Sequence, residues 1–195
     1  MRQVRRRRAL LILGAAAAGG SLAVAWRLGK PVVHTPLTPP APRLASIETL
    51  QRTEPPAPLP PAALVDAAGV VHGLAEFAGT GLVINLWATW CVPCVAELPG
   101  LAVLARRLKD SSIRVLPLSS DRDGAPVVAS YYHQHGIEGL PIWLDPKGEA
   151  VRIWGVQGIP TTLIVDREGR ERGRLVGAVD WASDAAAAEI RGLVG

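Results

Sequence analysis

The feature that most constrains this fold is an apolar run followed at once by two cysteines and a helical pattern. Leu82 to Leu86 is an apolar run apart from Asn85, which suits a buried central strand. Trp90-Cys91-Val92-Pro93-Cys94 comes next, and Val92 to Leu108 places apolar residues at helical spacing. The sequence therefore predicts a strand that ends where a helix begins, with both cysteines at the junction.

That junction gives the cysteines a defined chemistry. A thiol at a helix N-terminus faces unpaired backbone N–H groups and the positive end of the helix dipole, which favour the nucleophilic thiolate. Cys91 comes first and is the predicted nucleophile, and Cys94, one turn later, is the predicted resolving thiol. Pro93 suits the first turn because its missing N–H would have no partner inside the helix. No third cysteine exists for a disulfide framework or a four-thiolate zinc site.

The remaining pattern predicts short strands and helices after residue 61. Turn residues at 66–69 and again at 166–169 separate apolar runs, and each set indicates a hairpin. Ala125 to His135 reads as a helix that ends at Gly136. Val115 to Ser119 reads as a second buried strand, and Asp184 to Val194 as a closing helix. Such an alternation predicts an α/β fold, a mixed sheet covered by helices.

Residues 1–30 read as a signal or membrane anchor. Met1 to Arg8 carries five arginines, and eighteen uncharged residues follow from Ala9 to Trp26. As a helix those eighteen would span about 27 Å, enough for a bilayer core. The positive-inside rule then places the rest of the chain outside the cytoplasm. Cleavage after the Ala23-Val24-Ala25 stretch and export by a twin-arginine route both stay open.

Proline and charge divide the rest of the chain. Residues 31–61 hold ten of the 17 prolines and are predicted to be a semi-rigid spacer, which leaves residues 62–195 as the domain. Residues 1–30 carry seven of the 21 basic residues and no acidic one, so the remaining 14 basic and 17 acidic residues have a net charge of −3. A nucleic-acid partner is therefore not expected. His133 and His135, two positions apart, do not share a helix face, and no metal site is predicted.

The cysteine region resembles a known family. Asn85 to Cys94, followed by Glu97-Leu98-Pro99, is similar to the TlpA-like branch of the thioredoxin superfamily, which includes ResA and the cytochrome c maturation reductases called CcmG or DsbE. Gly158-Ile159-Pro160-Thr161-Thr162 resembles the second signature of that branch, a loop whose cis-proline faces the two cysteines. The resemblance covers roughly residues 60–195. It implies a thioredoxin fold with an N-terminal β-hairpin extension.

The resemblance also implies the site residues. Trp90, Pro93, Ile159 and Pro160 would bind substrate, with the backbone of Ile159 free to pair with an extended substrate strand. Packing at the strand–helix corner is the alternative reading of Trp90. Glu97 would assist proton transfer, as the Glu at that place is thought to do in the branch. An ordinary thioredoxin has a buried Asp where this chain has Asn85. A solvated Glu favoured by the helix dipole is the alternative reading of Glu97.

We expect a protein-disulfide reductase that works on particular exported proteins, of the kind needed for cytochrome c maturation or copper-site assembly. No positively charged residue occurs from Thr80 to Gly100, so little besides the helix terminus lowers the Cys91 pKa, and a reducing rather than an oxidising potential follows. The expected electron donor is a transmembrane protein of the DsbD or CcdA type. No cofactor is expected beyond the Cys91–Cys94 disulfide. The domain would face the periplasm from the inner membrane, or be soluble there after signal cleavage.

Two other functions use similar sequences. A peroxiredoxin needs Pro-x-x-x-Thr/Ser-x-x-Cys, and that pattern fails because Ile84 and Ala88 occupy the Pro and Thr/Ser places. A copper chaperone also uses CxxC, since thiolates suit Cu(I). Small metallochaperone domains usually have Met two residues before the first Cys, where this chain has Thr89. Copper binding as a side activity stays open.

Overall fold

The computed structural model describes residues 42–194. These residues form one sheet with helices on both of its faces. The strands are β1 (Gln51–Pro58), β2 (Ala63–Asp66), β3 (Val71–Gly73), β4 (Gly81–Trp87), β5 (Ile113–Ser119), β6 (Trp143–Leu144), β7 (Thr161–Val165) and β8 (Arg170–Val176). The helices are α1 (Val92–Leu108), α2 (Ala125–His135), α3 (Glu149–Ile153) and α4 (Asp184–Val194), and two short 3-10 helices cover Ile47–Thr49 and Leu74–Phe77.

The sheet is mixed, and β4 lies near its centre. The strand order is β1-β8-β7-β4-β5-β6-β2-β3. β4 runs parallel to β5 and antiparallel to β7, and all seven of its residues are buried. Strands buried on both faces read as continuous apolar runs, which is why the 82–86 run identified this strand. The predicted mixed sheet and both predicted hairpins, β2–β3 and β7–β8, are confirmed.

Alternate residues of β4 point into two separate hydrophobic layers. Val83 and Trp87 belong to the layer under α1, α2 and α4, whereas Leu82, Ile84 and Leu86 belong to the layer under α3 and the 74–77 turn. This alternation follows from the two-residue side-chain period of a strand. α1 contacts both β5 and α4. The cysteine-bearing helix therefore rests on a fully packed support.

The predicted spacer extended too far into the chain. Gln51–Pro58 is a strand that pairs antiparallel with β8, so this part of 31–61 belongs to the folded domain. The prolines predicted a spacer, but proline is also compatible with a strand at the edge of a sheet. There one side of the backbone faces solvent, so a residue without an N–H loses no hydrogen bond to a neighbouring strand. β1 is such an edge strand. The domain boundary predicted at residue 62 is wrong by at least eleven residues, counting from 51 to 61.

Two other elements had no counterpart in the sequence prediction. β6 has two residues and α3 has five, and neither length contains enough positions for a periodic pattern to appear. The predicted anchor, residues 1–30, and the start of the predicted spacer, residues 31–41, lie outside the described residues. Among residues 42–194, none of the helices has the length and apolar character to cross a bilayer.

Candidate active site

The two cysteines lie where β4 and its parallel neighbour β5 both end. Cys91 is the N-cap residue of α1, and the backbone N–H of Cys94 donates to Cys91 Sγ at 3.3 Å. The two sulfurs form a disulfide. Cys91 is 7% exposed and Cys94 is fully buried. A sulfur atom arriving from solvent therefore meets Cys91 first.

The loop before β7 closes the site from the opposite side. The Ile159–Pro160 peptide bond is cis, and the carbonyl oxygen of Ile159 lies 3.7 Å from Cys91 Sγ. The Gly177 N–H donates to the Pro160 carbonyl at 2.9 Å, and the Thr161 hydroxyl donates to the Gly158 carbonyl at 2.6 Å. The first bond ties the loop to the residue that follows β8, and the second closes the loop on itself. The structure thus brings together the two motifs that the sequence separates by 64 positions, counting from Cys94 to Gly158.

Glu97, one turn of α1 after Cys94, is fully buried. One carboxylate oxygen, Oε2, accepts from the Val179 N–H at 2.8 Å and from Trp181 Nε1 at 2.9 Å. The other, Oε1, accepts from Asn85 Nδ2 at 2.7 Å. No ion pair within the described residues involves Glu97. The reading of Glu97 as a solvated residue at a helix start is therefore wrong.

This environment changes the acidity of Glu97. Burial raises the pKa of the carboxyl group from 4.5 to about 7, because the charged form loses its hydration. The three hydrogen bonds from Val179, Asn85 and Trp181 favour the carboxylate and oppose that rise only in part. A carboxyl group with a pKa near neutrality can accept and release a proton under physiological conditions.

Asn85 links this carboxyl group to the central sheet. Its Nδ2 donates both to Glu97 and, at 2.9 Å, to Thr162 Oγ1 on the adjacent strand β7. Its Oδ1 is buried without a hydrogen-bond partner among the described residues. An amide cannot ionise, so Asn85 supplies a fixed donor to Glu97 rather than a second acid.

Sequence reasoning missed three partners of this network: Thr162, Val179 and Trp181. Trp181 lies 84 positions from Glu97 along the chain, and Val179 contributes a backbone N–H, for which no residue type is diagnostic. Trp181 is fully buried, and a tryptophan in the sequence is equally compatible with ordinary core packing, so the residue type did not indicate a polar contact. The Val179 and Trp181 contacts form where the chain returns from β8 to α4, and the Thr162 contact forms where β7 pairs with β4.

The surface around the disulfide is apolar and open. Trp90 is 70% exposed and Val92 is 66% exposed, and both flank Cys91 in the chain. Pro93 is exposed in the first turn of α1, and Ile159 is half-buried across from it. Within residues 42–194 no group of three or more His, Cys, Asp or Glu side chains is arranged to hold a metal. Of the residues predicted to bind substrate, only the cis-proline is buried.

Comparison with known proteins agrees with this geometry. The Redoxin family model matches residues 54–189. A thiol-disulfide oxidoreductase ResA from Bacillus thuringiensis subsp. konkukian is 29% identical over 107 residues, 55% of this chain and 61% of the relative. A thiol:disulfide interchange protein DsbE homolog from Paracoccus denitrificans is 36% identical over 87 residues, 45% of each chain. The chain thus spans less than two thirds of the length of these relatives.

Solved structures show the same fold. A structure assigned as a thiol:disulfide interchange protein DsbE of Chlorobium tepidum superimposes with a TM-score of 0.63 at 26% identity, over 75% of this chain and 99% of the other. The exposed lipoprotein thioredoxin Etrx1 of Streptococcus pneumoniae gives a TM-score of 0.58 at 24% identity, over 68% and 99%. The predicted thioredoxin fold is therefore confirmed. The chain belongs to the Redoxin family, within the branch of the thioredoxin superfamily that contains the TlpA-like, ResA and CcmG (DsbE) proteins.

Proposed function

We propose that this protein is a thiol–disulfide oxidoreductase that reduces disulfides in exported proteins through Cys91 and Cys94. The observation that carries the proposal is the pairing of a partly accessible Cys91 with a fully buried Cys94 at one helix N-terminus. That arrangement separates an attacking sulfur from a resolving sulfur. The helix terminus stabilises the Cys91 thiolate when the disulfide is open.

The reaction starts from the reduced dithiol. The Cys91 thiolate attacks one sulfur of the substrate disulfide, the substrate S–S bond breaks, and the other substrate sulfur leaves as a thiolate that takes up a proton. Cys94 then loses its proton and attacks Cys91 Sγ, which releases the first substrate sulfur as a second thiol. The substrate gains two electrons and two protons, and the Cys91–Cys94 disulfide forms.

The second step needs a base close to Cys94. Glu97 follows Cys94 by one helical turn, is fully buried as Cys94 is, and has a pKa that burial raises to about 7. We assign to Glu97 the acceptance of the Cys94 proton during resolution and its return when the disulfide is reduced again. A carboxyl group with an ordinary pKa of 4.5 would be a weaker base for a thiol.

Substrate would bind across the open face described above. The exposed indole of Trp90 and the side chain of Val92 offer apolar contact, and the half-buried Ile159 offers main-chain hydrogen bonds to an extended segment. Pro93 and Pro160 would shape the two sides of that contact. A flexible substrate segment carrying a disulfide fits such a shallow surface better than a small molecule does.

The absence of any Lys, Arg or His from Thr80 to Gly100 supports a reducing direction. A strong oxidant needs extra stabilisation of its thiolate form, and here the helix terminus acts almost alone. We further infer an N-terminal membrane anchor, a periplasmic domain, and an electron donor of the DsbD or CcdA type that reduces the Cys91–Cys94 disulfide. Cytochrome c maturation and copper-site assembly are the pathways that would use such a reductase. The cysteine pair itself would be the only redox group required.

A trapping experiment tests the activity and identifies the substrate. In Cys94→Ala, Cys91 can attack a substrate disulfide but nothing resolves the product, so mixed disulfides should accumulate with exported proteins. The matched control is Cys91→Ala/Cys94→Ala, which should trap nothing. Equal yields from the two variants would refute the proposed activity.

Equilibration with glutathione tests the direction separately. We expect a reduction potential nearer to the ~−270 mV of thioredoxin than to the ~−120 mV of DsbA. A value at the DsbA end would make the protein an oxidant while leaving Cys91 as its nucleophile.

A further inference from the structure

We propose that Asp121 is a positioning residue that holds the loop before Cys91, and so sets where the Cys91 sulfur lies relative to the start of α1. This inference rests on the proposed function and adds to it a residue that lies in neither the cysteine motif nor the cis-proline loop. Asp121 follows β5, at the edge of the sheet where β4 also ends. It is only 4% exposed.

The side chain of Asp121 connects the end of β5 with the loop that follows β4. Oδ1 accepts from the Thr89 hydroxyl at 2.7 Å, and Oδ2 accepts from the Thr89 backbone N–H at 2.9 Å. Oδ2 also accepts from the Ser119 hydroxyl at 2.7 Å. No Lys, Arg or His of the described chain forms an ion pair with this carboxylate. Its partners are therefore the β5 end on one side and the cysteine loop on the other.

Other buried aspartates in this protein behave differently. Asp145 accepts from the backbone N–H groups of Glu149 and Val151, and Asp166 accepts from those of Glu168 and Arg170. Each of these carboxylates closes a turn in its own part of the chain. Asp121 instead binds a residue 32 positions away. A local capping function does not account for that contact.

The loop has few other constraints. Trp90, between Thr89 and Cys91, is 70% exposed and so cannot hold the loop by packing. Besides the Asp121 contacts, the loop has a hydrogen bond from the Cys91 N–H to the Ala88 carbonyl at 3.1 Å, and Ala88 itself is fully buried in the core. A thiolate is stabilised by a helix terminus only within the first turn, and a displacement of about 1 Å can slow a positioned reaction by up to about a hundredfold. Loss of the Asp121 contact should therefore affect Cys91 directly.

The test compares four variants by the rate at which iodoacetamide alkylates Cys91 in the reduced protein at neutral pH. Asp121→Ala removes all three contacts, and Thr89→Val removes only the hydroxyl contact while the carboxylate charge remains. Thr89→Ser restores the hydroxyl. Asp145→Ala is the control for loss of a buried carboxylate. Alkylation needs no disulfide substrate, so its result does not depend on the proposed function. Insulin reduction by the unmodified protein, measured alongside, tests that function separately.

If Asp121 positions Cys91, alkylation should slow about tenfold in Asp121→Ala and about threefold in Thr89→Val, as the sulfur moves away from the helix terminus and its thiolate fraction falls. Thr89→Ser and Asp145→Ala should stay within about twofold of the unmodified protein. Should Asp121→Ala fail to fold, the Thr89 pair alone decides. Faster alkylation in Asp121→Ala would overturn the proposal, because it would mean that Asp121 acts on Cys91 through its charge. Equal alkylation rates in Thr89→Val and Thr89→Ser would also overturn it, because the hydroxyl contact would then have no effect on Cys91.

Discussion

At the scale of single residues, the active site combines an exposed side and a buried side on one helix. Trp90 and Val92 face solvent, whereas Cys94 and Glu97, one and two turns further on, are fully buried. In the proposed reaction, attack on substrate takes place at the surface, and the proton released during resolution passes to the buried Glu97 carboxylate. Burial that raises the Glu97 pKa to about 7 makes such a transfer possible.

The two cysteines should differ in reactivity. In the reduced protein at neutral pH, we expect iodoacetamide to label Cys91 well before Cys94, because Cys91 is the more accessible sulfur and caps α1. Peptide mass spectrometry over a time course measures the order. Labelling of Cys94 first would refute the assignment of Cys91 as nucleophile.

Glu97 should make the stability of the oxidised protein depend on pH. Its pKa in the folded state, about 7, lies above the value of 4.5 for an exposed glutamate, so the folded state binds the proton more tightly. The free energy of unfolding should therefore fall by about 3 kcal/mol as pH rises from about 4.5 to about 7, and then level off. Urea unfolding at a series of pH values measures this change.

The matched variant for that prediction is Glu97→Gln, which cannot ionise. It should lose this part of the pH dependence, and the difference between the two curves isolates Glu97 from His72, whose pKa is also raised, by its contact with Glu76. Working with the oxidised protein prevents the thiols from titrating. Parallel curves for the two proteins would mean that Glu97 is ionised throughout and could not act as the proposed base.

At the scale of elements, the least expected feature is the close approach of β1 to β8. Arg52 lies opposite Gly173, and the register then shifts before Ala57 pairs with Glu171. Gly173 lies in this contact because a side chain there would collide with β1: a Cβ atom would come within 3.0 Å of the Gln51 carbonyl oxygen. Any larger residue at position 173 would require β1 or the Leu50 side chain to shift.

Gly173→Ala should push β1 away from β8 and destabilise the protein by about 1–2 kcal/mol, since the clash involves backbone as well as the Leu50 side chain. The matched control is Gly192→Ala on the exposed face of α4, where no atom lies within 4 Å of an added Cβ. That change should stabilise the protein by up to about 1 kcal/mol through helix propensity. Urea unfolding compares both with the unmodified chain, and equal stability of Gly173→Ala would contradict the close packing.

At the scale of the whole molecule, the residues before the predicted domain support the active site. Ala45 donates to the Ala178 carbonyl at 2.8 Å and accepts from the Asp180 N–H at 2.9 Å. Those two residues flank Val179, whose N–H binds Glu97. Ile47 and Leu59 are buried, one in each hydrophobic layer. The segment from 42 to 61 therefore positions the chain around Val179, which in turn binds the buried Glu97 carboxyl group.

A fragment of residues 62–195 should consequently be less stable than a fragment of residues 42–195. Loss of two buried side chains alone removes at least about 3 kcal/mol, and β8 becomes an unprotected edge strand. Denaturant unfolding and size-exclusion chromatography of the two fragments check this outcome. Equal stability of the fragments would restore the boundary at residue 62 that the proline content had suggested.

Local patterns in the sequence were sufficient for most of the secondary structure. The apolar run at 82–86, the spacing along 92–108 and the turn residues at 166–169 each report a conformation that neighbouring residues impose on one another. The position of Cys91 and Cys94 at a helix start follows from the same local signals. β1 was missed because its prolines carry the same local signal in a spacer and in an edge strand, and only pairing with β8 separates the two.

Contacts between distant parts of the chain were decided by the tertiary structure alone. Whether Glu97 is solvated or buried depends on Val179 and Trp181, more than 80 positions later, and its acidity depends on that burial. Thr89 reaches Asp121 only because β4 and β5 end at the same edge of the sheet. A sequence pattern reports which residue types are present at short range, whereas desolvation and hydrogen bonding depend on which groups the fold brings within a few ångströms of one another.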